Sequence, residues 1–203
     1  MRTGNALNEH HIEQLRAAER QSKRTLAALR HADHRLTRHM AAWDSAWARR
    51  LLPPMEEAAE HTKLWWAVAV VMSVSGGWKG RKAAAAGVSA MAVAEVSSNG
   101  IAKPLVERRR PPKEWISQDD AEDRPDSSSF PSGHTAAAVA FTAAVAASWP
   151  GAGAACAAAT VLVAIERVHD GAHYLSDVAV GAAIGAAAAA LVRIAPRLVL
   201  SRL

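Results

Sequence analysis

The sequence predicts an all-α protein: a membrane helix bundle of about five transmembrane helices, preceded by an amphipathic helical arm. Three observations carry that expectation. Half of the 203 residues are hydrophobic while only 5% are aromatic, and the apolar content is mostly alanine with some valine, a composition that favours helix. From residue 64 onward the chain falls into five apolar stretches, 64–78, 83–102, 135–149, 151–165 and 178–192. Trp65, Trp66, Trp78 and Trp149 stand at the ends of those stretches, where indoles are expected at the headgroup level of a bilayer.

The length suits one domain with an extension. We read residues 1–60 as a polar helical arm and 61–203 as a helix bundle. In the arm, Ile12, Leu15, Leu26, Leu29 and Leu36 are spaced for one or two weakly amphipathic helices, which Pro53 and Pro54 are expected to interrupt. The net charge of +5 fits nucleic acid, anionic lipid or a phosphate-bearing substrate. Glu9, Glu13, Glu19 and Asp33 dilute the basic charge of the arm and no binding motif follows, so a nucleic-acid partner is not expected. The N-terminus has no apolar core of the secretory type. The single cysteine, Cys156, excludes an internal disulfide.

The apolar stretches are mostly shorter than the ~20 residues of a bilayer span, so the buried helices of a soluble bundle are the competing reading. Gly181 and Gly185 give the last stretch a small-xxx-small face suited to close packing. The joins alternate between short and elaborate. Lys79-Gly80-Arg81-Lys82 is read as the turn between the first two stretches, and its three positive charges place it in the cytoplasm. The elaborate loops then face outward. Glu95, inside the second stretch, is expected to face the bundle interior and to support a site or a basic partner.

Three clusters fall on the elaborate side. In the first, Lys103 and Arg110 are seven residues apart and each precedes a proline, which draws Arg110 out of helical conformation. The second is Pro131-Ser132-Gly133-His134, where Ser132 is a good N-cap and the free N–H groups of a helix start form a phosphate cradle. The third contains Arg167, His173 and Asp177. The last two, four residues apart, share one helical face, so the carboxylate can orient the imidazole for attack on phosphorus. Taken singly, each cluster reads more readily as a solvated or headgroup-contacting basic face, an ordinary cap or a structural histidine. Taken together, Lys103, Arg110, Arg167 and the backbone at Gly133 supply the positive surroundings that phosphoryl transfer demands, with no metal or other cofactor called for.

The set Lys-x6-Arg-Pro, Pro-Ser-Gly-His and Arg-x5-His-x3-Asp, in that order, resembles the three-part signature of the type 2 phosphatidic acid phosphatase family. With Leu64-Trp65-Trp66 the chain is similar to actinobacterial members. The resemblance implies a multi-pass cell-membrane lipid phosphatase with its site on the outer face, acting on phosphatidic acid or a polyprenyl phosphate or diphosphate. It further implies that His173 is the nucleophile that forms a phosphohistidine, assisted by Asp177. His134 would protonate the leaving oxygen, and Lys103, Arg110, Ser132, Gly133 and Arg167 would hold the phosphoryl group. Glu166 stands where the family usually has serine, and a carboxylate there weakens phosphate binding unless it points away from Arg167. Leu175 replaces a frequent proline, and five stretches stand where members commonly have six spans. The competing readings are a soluble acid phosphatase or vanadate-dependent haloperoxidase of the same fold, and a non-catalytic protein that docks anionic lipid.

Overall fold

The computed structural model describes residues 3–116 and 127–200, with side-chain environments for 11–116 and 127–195. All regular structure among them is helical. By contacts the chain divides into two units, 1–36 and 37–203. In the first, the expected one or two helices are a single one, α1 (Thr3–Ala41), because neither glycine nor proline occurs between Gly4 and Pro53. Every side chain from His11 to Arg30 is exposed, including Leu15, Leu26 and Leu29.

In the second unit, Ser45 is extended and accepts a hydrogen bond from the Ala48 N–H, starting α2 (Ala46–Ala59). Pro53 and Pro54 lie inside α2 rather than interrupting it. The helix forgoes two backbone donors there and is held by burying Ala48, Leu52 and Ala59 as it packs on a later helix. Residues 37–60 therefore pack with the bundle, on its side of the boundary expected at residue 60.

Helix α3 (Lys63–Ser75) ends at Gly76-Gly77, not at Lys79–Lys82 as expected. Gly77 takes a left-handed φ of 56°, which turns the chain, and a Cβ on Gly76 would meet Met72 O and the Trp149 ring at 2.6 Å. Lys79, Arg81 and Lys82 consequently occupy the first turns of α4 (Gly77–Glu95). Helix α4 widens into a π-helical segment, Val96–Ala102, and closes in one further turn, Lys103–Leu105. After the loop come α5 (Gly133–Ser148), α6 (Pro150–His169) and α7 (Leu175–Leu200).

Helix α5 is central and packs against α4, α6 and α7. One core layer joins Met91, Phe141, Val145 and Val163 with Trp65, whose ring lies 5.4 Å from that of Phe141. Trp65 is thus a core residue, whereas Trp66 and Trp78 are exposed as a headgroup-level indole would be. The second layer is alanine on alanine, Ala90 and Ala94 with Ala136, Ala140 and Ala188. The small-residue face of α7 does what its spacing promised. A Cβ on Gly181 would stand 2.4 Å from Ser132 O, and one on Gly185 the same distance from Ala136 O. Pro150–His169 and Leu175–Ala195 are long and apolar enough to cross a membrane. Helix α5, with 16 residues, is apolar but shorter.

Because the atoms facing Gly185 are backbone, they cannot swing aside. Gly185→Val is therefore expected to cost about 1–3 kcal/mol by overpacking, read as a lower unfolding midpoint, while Ala182→Val on the same helix shifts it less.

Candidate active site

The three clusters meet at one end of the bundle, where α4 finishes and α5 and α7 begin. After Leu105 the chain becomes extended, as Pro111 required of Arg110, and is pinned by the serine run 127–129. The Ser129 N–H donates to Arg108 O at 3.0 Å and the Ser129 hydroxyl to Arg109 O at 3.3 Å. The Ser128 hydroxyl donates to Val106 O at 2.8 Å and accepts from the Arg108 N–H at 3.2 Å. Two loop segments about 20 residues apart are thereby laid side by side.

Ser132 caps α5, accepting from the Thr135 N–H at 3.4 Å and lying 3.0 Å from the Thr135 hydroxyl. Its own N–H donates to Asp177 O at 3.1 Å, which ties the start of α5 to the start of α7. Gly133 begins the helix beside Asn99 of the π-helical segment, whose side-chain oxygen would stand 2.6 Å from a Cβ there. No larger residue fits at Gly133 without displacing Asn99.

His173 lies in the loop between α6 and α7, 3% exposed. Gly171, with φ of 63°, turns that loop, and the His173 N–H donates to Arg167 O at 3.0 Å. The ring Nδ1 is 2.5 Å from Ser129 O. A carbonyl only accepts, so Nδ1 carries the proton and Nε2 keeps its lone pair.

Asp177 takes a different post from the one its spacing implied. Its Oδ2 is 4.0 Å from His173 Nδ1, and the direct hydrogen bond to the ring belongs to Ser129. Asp177 instead accepts from the Tyr174 N–H at 2.9 Å, as the third residue of a capped helix does, and from Arg108 Nη1 at 2.5 Å. Arg108 also donates to the Ser176 hydroxyl at 2.8 Å and lies 4.0 Å over the Tyr174 ring. Arg110 donates to Ala172 O at 2.9 Å and, through Nε, to Ser127 O at 3.1 Å, so it grips the residue before His173.

The positive charges that surround His173 are Arg110, Arg167 and Lys103, and the same three face His134. Burial first, and then the Arg110 charge, hold the His173 imidazole well below the ordinary histidine value. Burial and Arg110 likewise push the Lys103 ammonium below the usual lysine range. Among the described residues the Lys103 ammonium makes no hydrogen bond or ion pair. Glu95 is half-buried and its carboxylate has no partner among them either, so the basic partner expected for it is not found there.

Arg167, 7% exposed, is the most heavily engaged of the cations. Glu166 does not point away. Its two oxygens meet Arg167 Nε at 2.5 Å and Nη2 at 2.6 Å. Glu56 of α2 reaches Nη2 at 2.8 Å, and Asp170 stands 3.1 Å from it. These three carboxylates lie within 4.8 Å of one another, close enough to share a metal ion, but the cation between them is the guanidinium itself. They border a cavity of about 490 Å³ that also touches Trp43, Leu52 and His169.

The sequence reading placed Lys103, Arg110, Ser132, Gly133, His134, Arg167, His173 and Asp177 in one site, and the fold brings all of them to one end of the bundle. It passed over Arg108, Ser129, Asp170 and Glu56. Asp170 stands three residues after Arg167, as the cap that follows α6. Nothing local marks Ser129 or Glu56.

The chain is thus a helical bundle that gathers two histidines, a capped helix start and several cations at one end. The sequence pattern of the PAP2 superfamily matches residues 83–199, more than half of the chain, and the protein belongs to that superfamily. With it goes the class of activity, hydrolysis of phosphate esters. A comparison with curated proteins gives no significant sequence match. Two solved structures share the fold. The transmembrane PAP2-type phosphatidylglycerolphosphate phosphatase of Bacillus subtilis is 20% identical with a TM-score of 0.60, over 82% of this chain and 85% of that one. Aquifex aeolicus LpxE is 18% identical with a TM-score of 0.63, over 78% of this chain and 92% of that one. At these identities the likeness is one of fold.

Asp177 is fully buried between Arg108 and the start of α7. Asp177→Ala leaves both donors without their acceptor and is expected to cost about 3 kcal/mol or more, the scale of a broken buried pair. Asp177→Asn keeps an acceptor for the Tyr174 N–H and should lose less. Unfolding midpoints of the two variants against the parent check the order.

Proposed function

We propose that the protein is a multi-pass membrane phosphatase that removes phosphate from a lipid through a phosphohistidine on His173. The observation that carries the reading is the state of that ring: buried, proton fixed on Nδ1 by Ser129 O, and Nε2 free among Lys103, Arg110 and Arg167. In this reading Nε2 attacks phosphorus in line while the leaving oxygen takes a proton from His134. The cations, with the N–H group of Gly133, hold the equatorial oxygens, whose charge develops in the transition state. Water, deprotonated by His134, then attacks the phosphohistidine and frees both phosphate and Nε2. Asp177 acts at one remove, by fixing the turn that presents His173. No step calls on a metal.

Membrane embedding is supported by the outer surface of the bundle. Trp66, Val70, Val71 and Val74 on α3, Val96 and Ile101 after α4, Val161 on α6 and Leu191 on α7 are all exposed and apolar, more than a water-facing surface carries without reason. The basic start of α4, with Lys79, Arg81 and Lys82, lies at the opposite end from Lys103. If that end is cytoplasmic, the site faces outward. A terminal phosphate reaching a pocket at the end of such a bundle is most simply carried by a lipid, whose chains occupy the bilayer beside it. A soluble phosphatase of the same fold predicts extraction without detergent, and a merely lipid-docking protein predicts no phosphate release.

Purified protein should release phosphate from phosphatidic acid or a polyprenyl phosphate in detergent micelles, in the presence of EDTA. Vanadate should inhibit, and His173→Ala should abolish turnover while the variant still folds, as its helical circular dichroism would show. Release that EDTA abolishes would refute the mechanism.

The pH profile gives a second check. The folded-state value of His173 is depressed, so the ring stays neutral and nucleophilic below pH 6.5, the ordinary histidine value. The acid limb of kcat/KM governed by His173 is therefore expected below that pH. Removing the positive charge that depresses the ring most, with Arg110→Ala, should move the limb to higher pH. The same depression makes folding lose stability as pH falls below the ordinary histidine value, since the unfolded chain then takes up a proton that the native ring refuses.

A further inference from the structure

Arg167 is a phosphate-site cation whose guanidinium is paired with carboxylates along one edge. Nε and Nη2 face Glu166 in a two-pronged pair, and Nη2 also meets Glu56 and Asp170. Nη1 makes no hydrogen bond among the described residues, so it is the corner left for a phosphoryl oxygen. Two of the three carboxylates, Glu166 and Asp170, belong to the same helix end as Arg167 and move with it. Glu56 does not. It comes from α2, 111 residues earlier in the chain, and is the brace that ties this guanidinium to a separate helix.

We infer that Glu56 is a positioning residue for phosphate binding, acting through Arg167. A planar guanidinium recognises phosphate by the direction of its N–H groups as much as by charge, so a small rotation about the side-chain torsions costs affinity even with the charge retained. Glu166 and Asp170 fix the distance of the group from its own backbone. Glu56 fixes its rotation relative to the rest of the bundle. A second tie runs parallel, His169 Nε2 lying 2.8 Å from Trp43 O, so the α1–α2 corner and α2 together hold the end of α6. The Glu56 carboxylate is 48% exposed on its outer side, which makes it replaceable without opening a cavity in the core.

The inference rests on the proposal that Arg167 binds the phosphoryl group, and the experiment separates the two. Hydrolysis of phosphatidic acid in mixed micelles and inhibition by orthovanadate are measured for the parent, Glu56→Ala, Glu56→Gln and Arg167→Ala. Glu56→Ala is expected to raise KM and the vanadate inhibition constant together by about tenfold, the scale of one hydrogen bond to a charged group, with kcat changed much less. Glu56→Gln, which keeps an oxygen for Nη2, should recover most of that loss. A general structural role would instead lower the unfolding midpoint and kcat alike, with no rescue by glutamine. Parent-like KM and vanadate inhibition in Glu56→Ala overturn the inference while leaving the phosphatase reading intact. Tighter vanadate binding in that variant overturns it too, by making the contact a brake on the site. A parent protein that neither releases phosphate nor binds vanadate, or an Arg167→Ala variant that binds it as the parent does, removes both.

Discussion

The site depends on how closely α7 lies against α5. At Gly181 and Gly185 the two backbones approach until no side-chain carbon fits between them, and the atoms on the facing side are the carbonyls of Ser132 and Ala136. That approach places Asp177 O within 3.1 Å of the Ser132 N–H, so the capped start of α5 and the start of α7 become one unit. Ser132 and Gly133 sit at the first of these helix starts, and His173 precedes the second. Alanine on the remaining contact positions of the second core layer keeps the helices near enough for the arrangement to hold.

Around this joint the protein separates charge in an ordered way. Lys103, Arg110 and Arg167 raise a positive potential where two histidines stand, and each cation is restrained differently. Lys103 has no partner among the described residues, Arg110 is hooked on backbone carbonyls, and Arg167 is gripped by three carboxylates. The carboxylates lower the net charge of that corner, yet they leave one nitrogen of Arg167 uncommitted. The serine usual before this arginine in the family cannot form such a grip. Glu166 holds the guanidinium from its own helix, and Glu56 of α2 supplies the cross-brace. Arg108 plays a comparable part for the histidine loop, joining Asp177 to the Tyr174 ring.

The outer surface is consistent with the same chemistry. Apolar side chains face outward along the bundle, Trp66, Val70 and Val74 among them, while the second core layer is built from alanine. Such an inversion is natural when lipid surrounds the helices, because close packing of small residues then contributes more to association than hydrophobic burial does.

Much of this was written in local sequence. Alanine-rich stretches bounded by glycine and proline predict helices, Ser132 is a cap by residue type, and Pro111 keeps Arg110 out of helix. The three short motifs span eight residues that the fold brings to one end of the bundle. What only the tertiary structure decided were the partners chosen across long separations. Spacing allowed Asp177 to reach His173, but a carbonyl 44 residues away in the chain stood closer and accepts the hydrogen bond from the ring N–H. Gly77, not the basic tetrapeptide, made the first turn, since a left-handed backbone outweighs charge in setting a corner. Pro53 and Pro54 stayed in a helix because burial offset their missing donors. Glu56 found Arg167 through the packing of α2 on α6, and no pattern within either segment encodes that contact. Residue type and short-range spacing determine helices, caps and the chemistry available. Which donor meets which acceptor is settled by the close approach of whole helices.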